Sequence, residues 1–230
     1  MITRTVAILG YHKIGEPSSG AEPTWFYIAE RVFLGHLRYL RDNGWCLLDF
    51  ATFLRGLDFP ESLPERSALI TFDDGCRSIV AVRGLDFPAV MFVPTDFIGK
   101  STEFDAGVEP DEPVCGWDEL RELEGAGISI QSHGASHRRF SELNEAAMLD
   151  ELVRSKAVLE RGLNKAVQAF AFPYGDCGSS LAETEKLLRQ AGYNAAFLYG
   201  GGPLRWPPAQ PLLLPRIAMG ADTDLHVALQ

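Results

Sequence analysis

Short apolar runs alternate along the chain with longer stretches whose apolar residues recur every three or four positions. Residues 5–9 form a compact β-rich run. Residues 28–43 carry Val32, Phe33, Leu37 and Leu40 at helical spacing and stop at Gly44. Strands are predicted at 68–72 and 89–93, the first running into Asp73-Asp74-Gly75 and the second stopped by Pro94. A helix is predicted over 117–126, closed by Gly127, and then a strand over 128–131 that delivers Ser132-His133. A long amphipathic helix follows over 145–163, a strand over 167–172, a helix over 180–191 ended by Gly192, and a strand over 195–199. The proline-rich stretch 203–215 reads as a loop, and 217–219 as a last short strand.

Repeated strand-then-helix units imply parallel strands joined by helical crossovers, hence an α/β fold. The polar clusters around Asp73-Asp74-Gly75, His133 to His137 and Pro173-Tyr174-Gly175 all follow strand ends. In parallel α/β folds those ends gather on one face, so residues distant in sequence are expected in one site.

The chain of 230 residues has no evident linker, repeat or low-complexity segment, which suits a single domain over 1–230, and 46% hydrophobic composition allows a large core. The net charge of −10 argues against a nucleic-acid backbone as partner and leaves a neutral glycan open. None of Cys46, Cys76, Cys115 and Cys177 forms a C-x-x-C pair, and free thiols are expected. The N-terminal stretch is too short and broken for a signal segment, and no run approaches the roughly 20 apolar residues of a membrane span. Those features favour a cytoplasmic location, with an extracytoplasmic one open if a leader has been removed.

Two adjacent carboxylates at the end of an apolar strand repel each other and are costly near a core unless a cation neutralises one. Asp-Asp-Gly is also ordinary turn chemistry, so Asp73 and Asp74 alone leave both readings open. His133 and His137 form an H-x-x-x-H pair, which on a helical turn would put both imidazoles on one face toward a metal. Two surface histidines are the alternative. In combination, two histidines and one aspartate make a ligand set with positions open for water and substrate, and the second aspartate is free to act as a base.

Three segments carry a resemblance: Thr71-Phe72-Asp73-Asp74-Gly75, Ser132-His133-Gly134-Ala135-Ser136-His137, and Phe170-Ala171-Phe172-Pro173-Tyr174-Gly175. They resemble, in order, the motifs of the polysaccharide deacetylases of carbohydrate esterase family 4, the NodB-like domain. Weaker matches are Tyr11-His12-Lys13-Ile14, Trp117-Asp118-Glu119-Leu120 and Pro215-Arg216-Ile217. The resemblance implies a distorted, incomplete parallel (β/α) barrel. It also implies Asp73 as general base, and Asp74, His133 and His137 as ligands of one divalent ion, zinc first with cobalt or nickel as alternatives. Pro173, Tyr174 and Gly175 fall at the oxyanion motif, where the Tyr174 N–H is the expected donor. The implied activity is removal of N-acetyl groups from an acetylated glycan or amino sugar. An O-acetyl esterase, a cyclic-amide hydrolase and an inactive glycan-binding relative are the alternatives.

The chain departs from the family pattern in three places. The C-terminal leucine-histidine motif that supplies a general acid is missing; His12 is the replacement expected from the Tyr-His-x-Ile branch, His226 reads as a surface residue, and His36 lies in a helical pattern. Ala171 stands where many members carry an arginine that orients the base. Arg216 is a candidate to supply that charge near the substrate, a surface salt bridge being the other reading. The segment between Gly75 and Ala89 is about two helical turns short. Cys76, Cys115 and Cys177 are each within reach of the active face.

Overall fold

The computed structural model describes residues 4–230; the first three residues, part of the stretch read for a leader, lie outside them. In chain order the strands are β1 (Arg4–Tyr11), β2 (Lys13–Ile14), β3 (Tyr27–Ile28), β4 (Cys46–Leu47), β5 (Arg66–Phe72), β6 (Ala89–Val93), β7 (Ile128–Ser132), β8 (Ala169–Ala171), β9 (Ala195–Phe197), β10 (Leu204–Trp206) and β11 (Ile217–Ala218). The helices are α1 (Glu30–Asp42), α2 (Phe50–Asp58), α3 (Trp117–Gly125), α4 (Glu145–Leu163), α5 (Leu181–Gln190) and α6 (Leu225–Ala228).

The main sheet runs β10-β1-β5-β6-β7-β8-β9, with β4 beside the first half of β5 and β11 beside the end of β1. All pairs are parallel except β1 with β10. The sheet curls into an incomplete barrel. Residues 214–219 cross its open side: Leu214 exchanges backbone bonds with Ala196 and Leu198 beside β9, and Met219 N–H donates to the Gly10 carbonyl of β1. Among the described residues no helix is long and apolar enough to cross a membrane.

Alternation along each strand divides the core in two. Val6, Ile8, Leu69, Val90, Phe92, Ala171 and Phe197 point into the barrel, where Phe53 of α2 and Trp206 of β10 join them. Ala7, Leu9, Ile70, Met91 and Ile130 point outward under the helices. Strands apolar on both faces explain why their sequences read as continuous runs rather than as alternation.

The strongly periodic helices fall where expected within a residue or two, while the N-terminal end of the 28–43 prediction is strand β3 instead. The loop expected over 203–215 contains β10, whose register Arg4↔Trp206 through Val6↔Leu204 places it antiparallel to β1. Helix α2 and strand β4 were not anticipated; α2 is capped by the Asp49 carboxylate, which accepts from Thr52 N–H at 2.7 Å. The short connection after Gly75 is filled by a 3-10 run, Arg77–Leu85, in place of a crossover α-helix.

Candidate active site

The inward alternation of three strands continues past their C-terminal ends and aims the polar residues at one place. On β1 it runs Val6, Ile8, Gly10 and then His12; on β5 Leu69, Thr71 and then Asp73; on β7 Gln131 and then His133. Gly10 leaves room underneath, since a Cβ there would stand 3.1 Å from the Tyr199 ring and 3.6 Å from Arg216 Cβ. Beyond the strands the backbone turns sharply. Of five non-glycine residues with positive φ among the described residues, three are Asp74 (66°), His137 (55°) and Tyr174 (57°). Left-handed backbone is uncommon for residues with a Cβ, and its concentration here marks a site whose geometry is imposed by its surroundings.

Asp74 Oδ1 lies 3.5 Å from His133 Nε2 and 3.3 Å from His137 Nε2, and one donor atom from each of the three residues lies within 4.8 Å of the others. Donors about 2.05 Å from a tetrahedral ion stand roughly 3.3 Å apart, so these spacings fit one. The His133 ring is also suitably oriented. Its Nδ1 donates to the Ala171 carbonyl at 2.8 Å, which turns Nε2 toward Asp74 and keeps it for an ion. His137 is held by packing, its ring 3.9 Å from Phe104 and 4.7 Å from Tyr174. The two histidines do not share a helical turn, as their spacing had suggested. His133 leaves the end of β7, and left-handed Gly134 and His137 fold the intervening loop so that the rings converge.

Asp73 and Arg216 form a bidentate pair, Nη1 to Oδ1 at 2.7 Å and Nη2 to Oδ2 at 2.6 Å. Arg216 also donates to the Leu198 carbonyl at 2.7 Å and to Thr71 Oγ1 at 3.1 Å. It is fully buried, so it is not a surface salt bridge, and it stands behind Asp73, out of contact with the solvent. Burial pushes the Asp73 carboxyl up, but the Arg216 guanidinium, with His133 and His12 nearby, outweighs burial and holds it below the ordinary carboxylate value.

His12 Nε2 lies 4.0 Å from Asp73 Oδ2, with the ring between Phe26 at 4.7 Å and Tyr199 at 5.0 Å. Burial is the largest influence on it and draws its pKa below 6.5. The other histidines are elsewhere. His36 is buried in α1 against the Tyr11 hydroxyl at 3.1 Å, and His226 lies on α6 at the surface, 2.9 Å from Tyr39 Oη. The four cysteines are free thiols.

His12, Asp73, Asp74, His133 and His137 all line one cleft of ≈ 790 Å³. Tyr174 and Gly175 form part of its wall, while Pro173 is buried beneath. The Tyr174 hydroxyl donates to Asp105 Oδ1 at 2.9 Å, which ties the third motif to the long loop before α3.

A family model described as polysaccharide deacetylase matches residues 61–196, more than half of the chain. The chain belongs to the polysaccharide deacetylase family. A Bacillus subtilis (strain 168) relative, "Putative polysaccharide deacetylase YxkH", is 25% identical over 191 residues, which are 81% of this chain and 61% of that protein. The chain thus spans about three fifths of the curated relative's length. Among solved structures, the Streptococcus pyogenes deacetylase PplD in complex with acetate superposes with a TM-score of 0.81 at 20% identity, covering 99% of each chain. A de-N-acetylase from Aggregatibacter actinomycetemcomitans gives 0.79 at 17% identity, covering 96% of this chain and 97% of that one. At such identities the two structures establish a shared fold, the curled sheet of parallel strands.

Two residues around the site of this family member were not read from sequence. Asp105 lies in a long loop with no periodic pattern to single it out. Glu151 could have been found: it stands in the buried stripe of α4 with Met148, Leu152, Ser155 and Leu159, a charged residue where helical spacing calls for an apolar one.

Proposed function

We propose that this protein is a metal-dependent hydrolase that removes N-acetyl groups from N-acetylhexosamine units of a polysaccharide or its precursor. The observation that carries the reading is the convergence of Asp74, His133 and His137, donor atoms within 4.8 Å, beside a second buried carboxylate. A divalent ion held there, zinc or else cobalt or nickel, would supply a Lewis acid for the acetyl carbonyl and for the attacking water.

Asp73 takes the proton of that water. Arg216 fixes the carboxylate from behind, and the remaining lone pairs of its oxygens are left for the water. The Tyr174 N–H is assigned to the oxyanion that develops as the carbonyl is attacked. The amine must then be protonated, or the intermediate expels water and returns to substrate. We assign this step to His12, with Asp73, 4.0 Å away and carrying the water's proton, as the source that charges it. The hydroxyl of water ends on acetate and its proton on the amine. Phe26, Phe104 and Tyr199 give the cleft apolar faces against which a sugar ring can lie.

Zinc-loaded protein incubated with N-acetylglucosamine oligomers is expected to release acetate and expose free amines. Release from acetylated xylan with none from the oligomers would replace this reading with an O-acetyl esterase. In the same assay His12→Ala should lower turnover by on the order of a hundredfold while zinc content stays normal. Ordinary rates from that variant would remove His12 from the mechanism.

A further inference from the structure

The loop between His133 and His137 has no regular backbone pairing of its own, so its polar groups must be satisfied from outside. On one side, Thr95 N–H donates to the Gly134 carbonyl at 3.1 Å and Asp96 N–H to the Ala135 carbonyl at 2.9 Å. On the other side Gly134 N–H donates to Ser132 Oγ at 3.2 Å, and a single carboxylate takes the donors of the next two residues. Glu151 Oε2 accepts from Ala135 N–H at 2.7 Å and Ser136 N–H at 2.9 Å, and Oε1 accepts from Ser136 Oγ at 2.5 Å. Arg154, one turn further along α4, joins the two sides, 2.5 Å from Asp96 Oδ1 and 3.8 Å from Glu151 Oε1.

Glu151 is only 7% exposed, and α4 contributes no residue to the ligand set. A buried carboxylate is costly unless its hydrogen bonds are made, and those between an ionised acceptor and backbone N–H groups are among the strong ones. The approach is close: a Cβ on Gly134 would stand 3.0 Å from Glu151 Oε2. The small residue at 134 and the charged residue at 151 therefore answer each other across the loop.

We propose that Glu151 is a positioning residue, which clamps the 134–136 loop so that the His133 and His137 Nε2 atoms face Asp74 at ion-binding separation. This rests on the metal reading of the site given above. Glu151 touches neither ion nor substrate; it acts by setting where left-handed His137 emerges. Loss of the clamp leaves the buried Ala135 N–H and the part-buried Ser136 N–H without their acceptor, and a loop that shifts to relieve them carries His137 away.

The test measures zinc affinity by competition with a chromophoric chelator, together with the visible absorption of the cobalt-substituted protein. Glu151→Leu keeps the volume and removes all three acceptor contacts. It should weaken zinc binding by about 10–100-fold, the range found when outer partners of metal ligands are lost, and dim the tetrahedral cobalt bands. Glu151→Gln retains an oxygen for both N–H groups and should recover most of the affinity. Leu159→Ala, two turns along the same buried stripe, is the control: it should lower thermal stability but bind zinc as the wild type does. Should Glu151→Leu fail to fold, Ser136→Ala, which removes one of the three contacts, should bind zinc severalfold more weakly.

Wild-type affinity in Glu151→Leu, or in Ser136→Ala where that variant decides, would overturn the assignment, and so would an equal loss in Leu159→Ala. A wild-type protein that binds neither zinc nor cobalt would bring down the metal reading itself, a result distinct from the others.

Discussion

Asp73→Asn is expected to keep the bound ion and lose turnover by roughly 10²–10⁴-fold, the usual worth of a positioned proton acceptor. The amide matches the carboxylate in shape but cannot take the water's proton. The substitution has a second consequence that separates this site from an exposed base. Asp73 and Arg216 are 2% and 0% exposed, and the change leaves the guanidinium buried beside a neutral partner. Breaking a buried ion pair from one side costs about 3–5 kcal/mol, so a lowered melting temperature should accompany the lost activity. Metal content, acetate release and thermal unfolding measured on one preparation check all three effects. A folded Asp73→Asn protein that has lost its ion would exchange the roles of Asp73 and Asp74.

His137→Ala should remove the ion and the activity together. The loss of affinity should exceed the roughly 10–100-fold expected from disturbing an outer partner, because one of only three protein donors is gone. Alanine adds no backbone strain at this left-handed position, since histidine already carries a Cβ there. The ring does pack on Phe104 and Tyr174, so a modest fall in stability is expected as well. Metal-to-protein ratio after dialysis is the decisive measurement, with His226→Ala as the comparison that keeps both ion and activity. A His137→Ala protein that retains a full complement of ion and ordinary rates would sink the ligand assignment.

Local pattern was enough to reveal the alternation of strands and helices, the ends of the long helices and the polar clusters behind β5, β7 and β8. Each of those signals is short-range: a 3.6-residue period, an apolar run, a glycine that stops a helix. The candidate site was legible for the same reason, because its residues sit in contiguous motifs that follow strand ends, where a parallel sheet gathers them. Strand β10 was not legible, because nothing within Leu204–Trp206 shows that β1 will accept it as an antiparallel neighbour. The placement of Arg216 was beyond reach for a related reason. Only the crossing of residues 214–219 from β9 to β1 brings it under Asp73, 143 positions away in sequence, and turns a residue read either as the charge beside the base or as a surface salt bridge into a buried partner of Asp73. Likewise the spacing of His133 and His137 suggested a helical turn, whereas left-handed Gly134 and His137, with Glu151 reaching across from α4, hold a different loop. What the sequence by itself determined was the run of strands and helices and the polar motifs that follow the strand ends, since periodicity and strand ends are written locally. Which of them stand behind others, and what holds them there, was decided only by the tertiary structure, because a hydrogen bond between residues far apart in the chain exists only once the sheet has curled to bring them together.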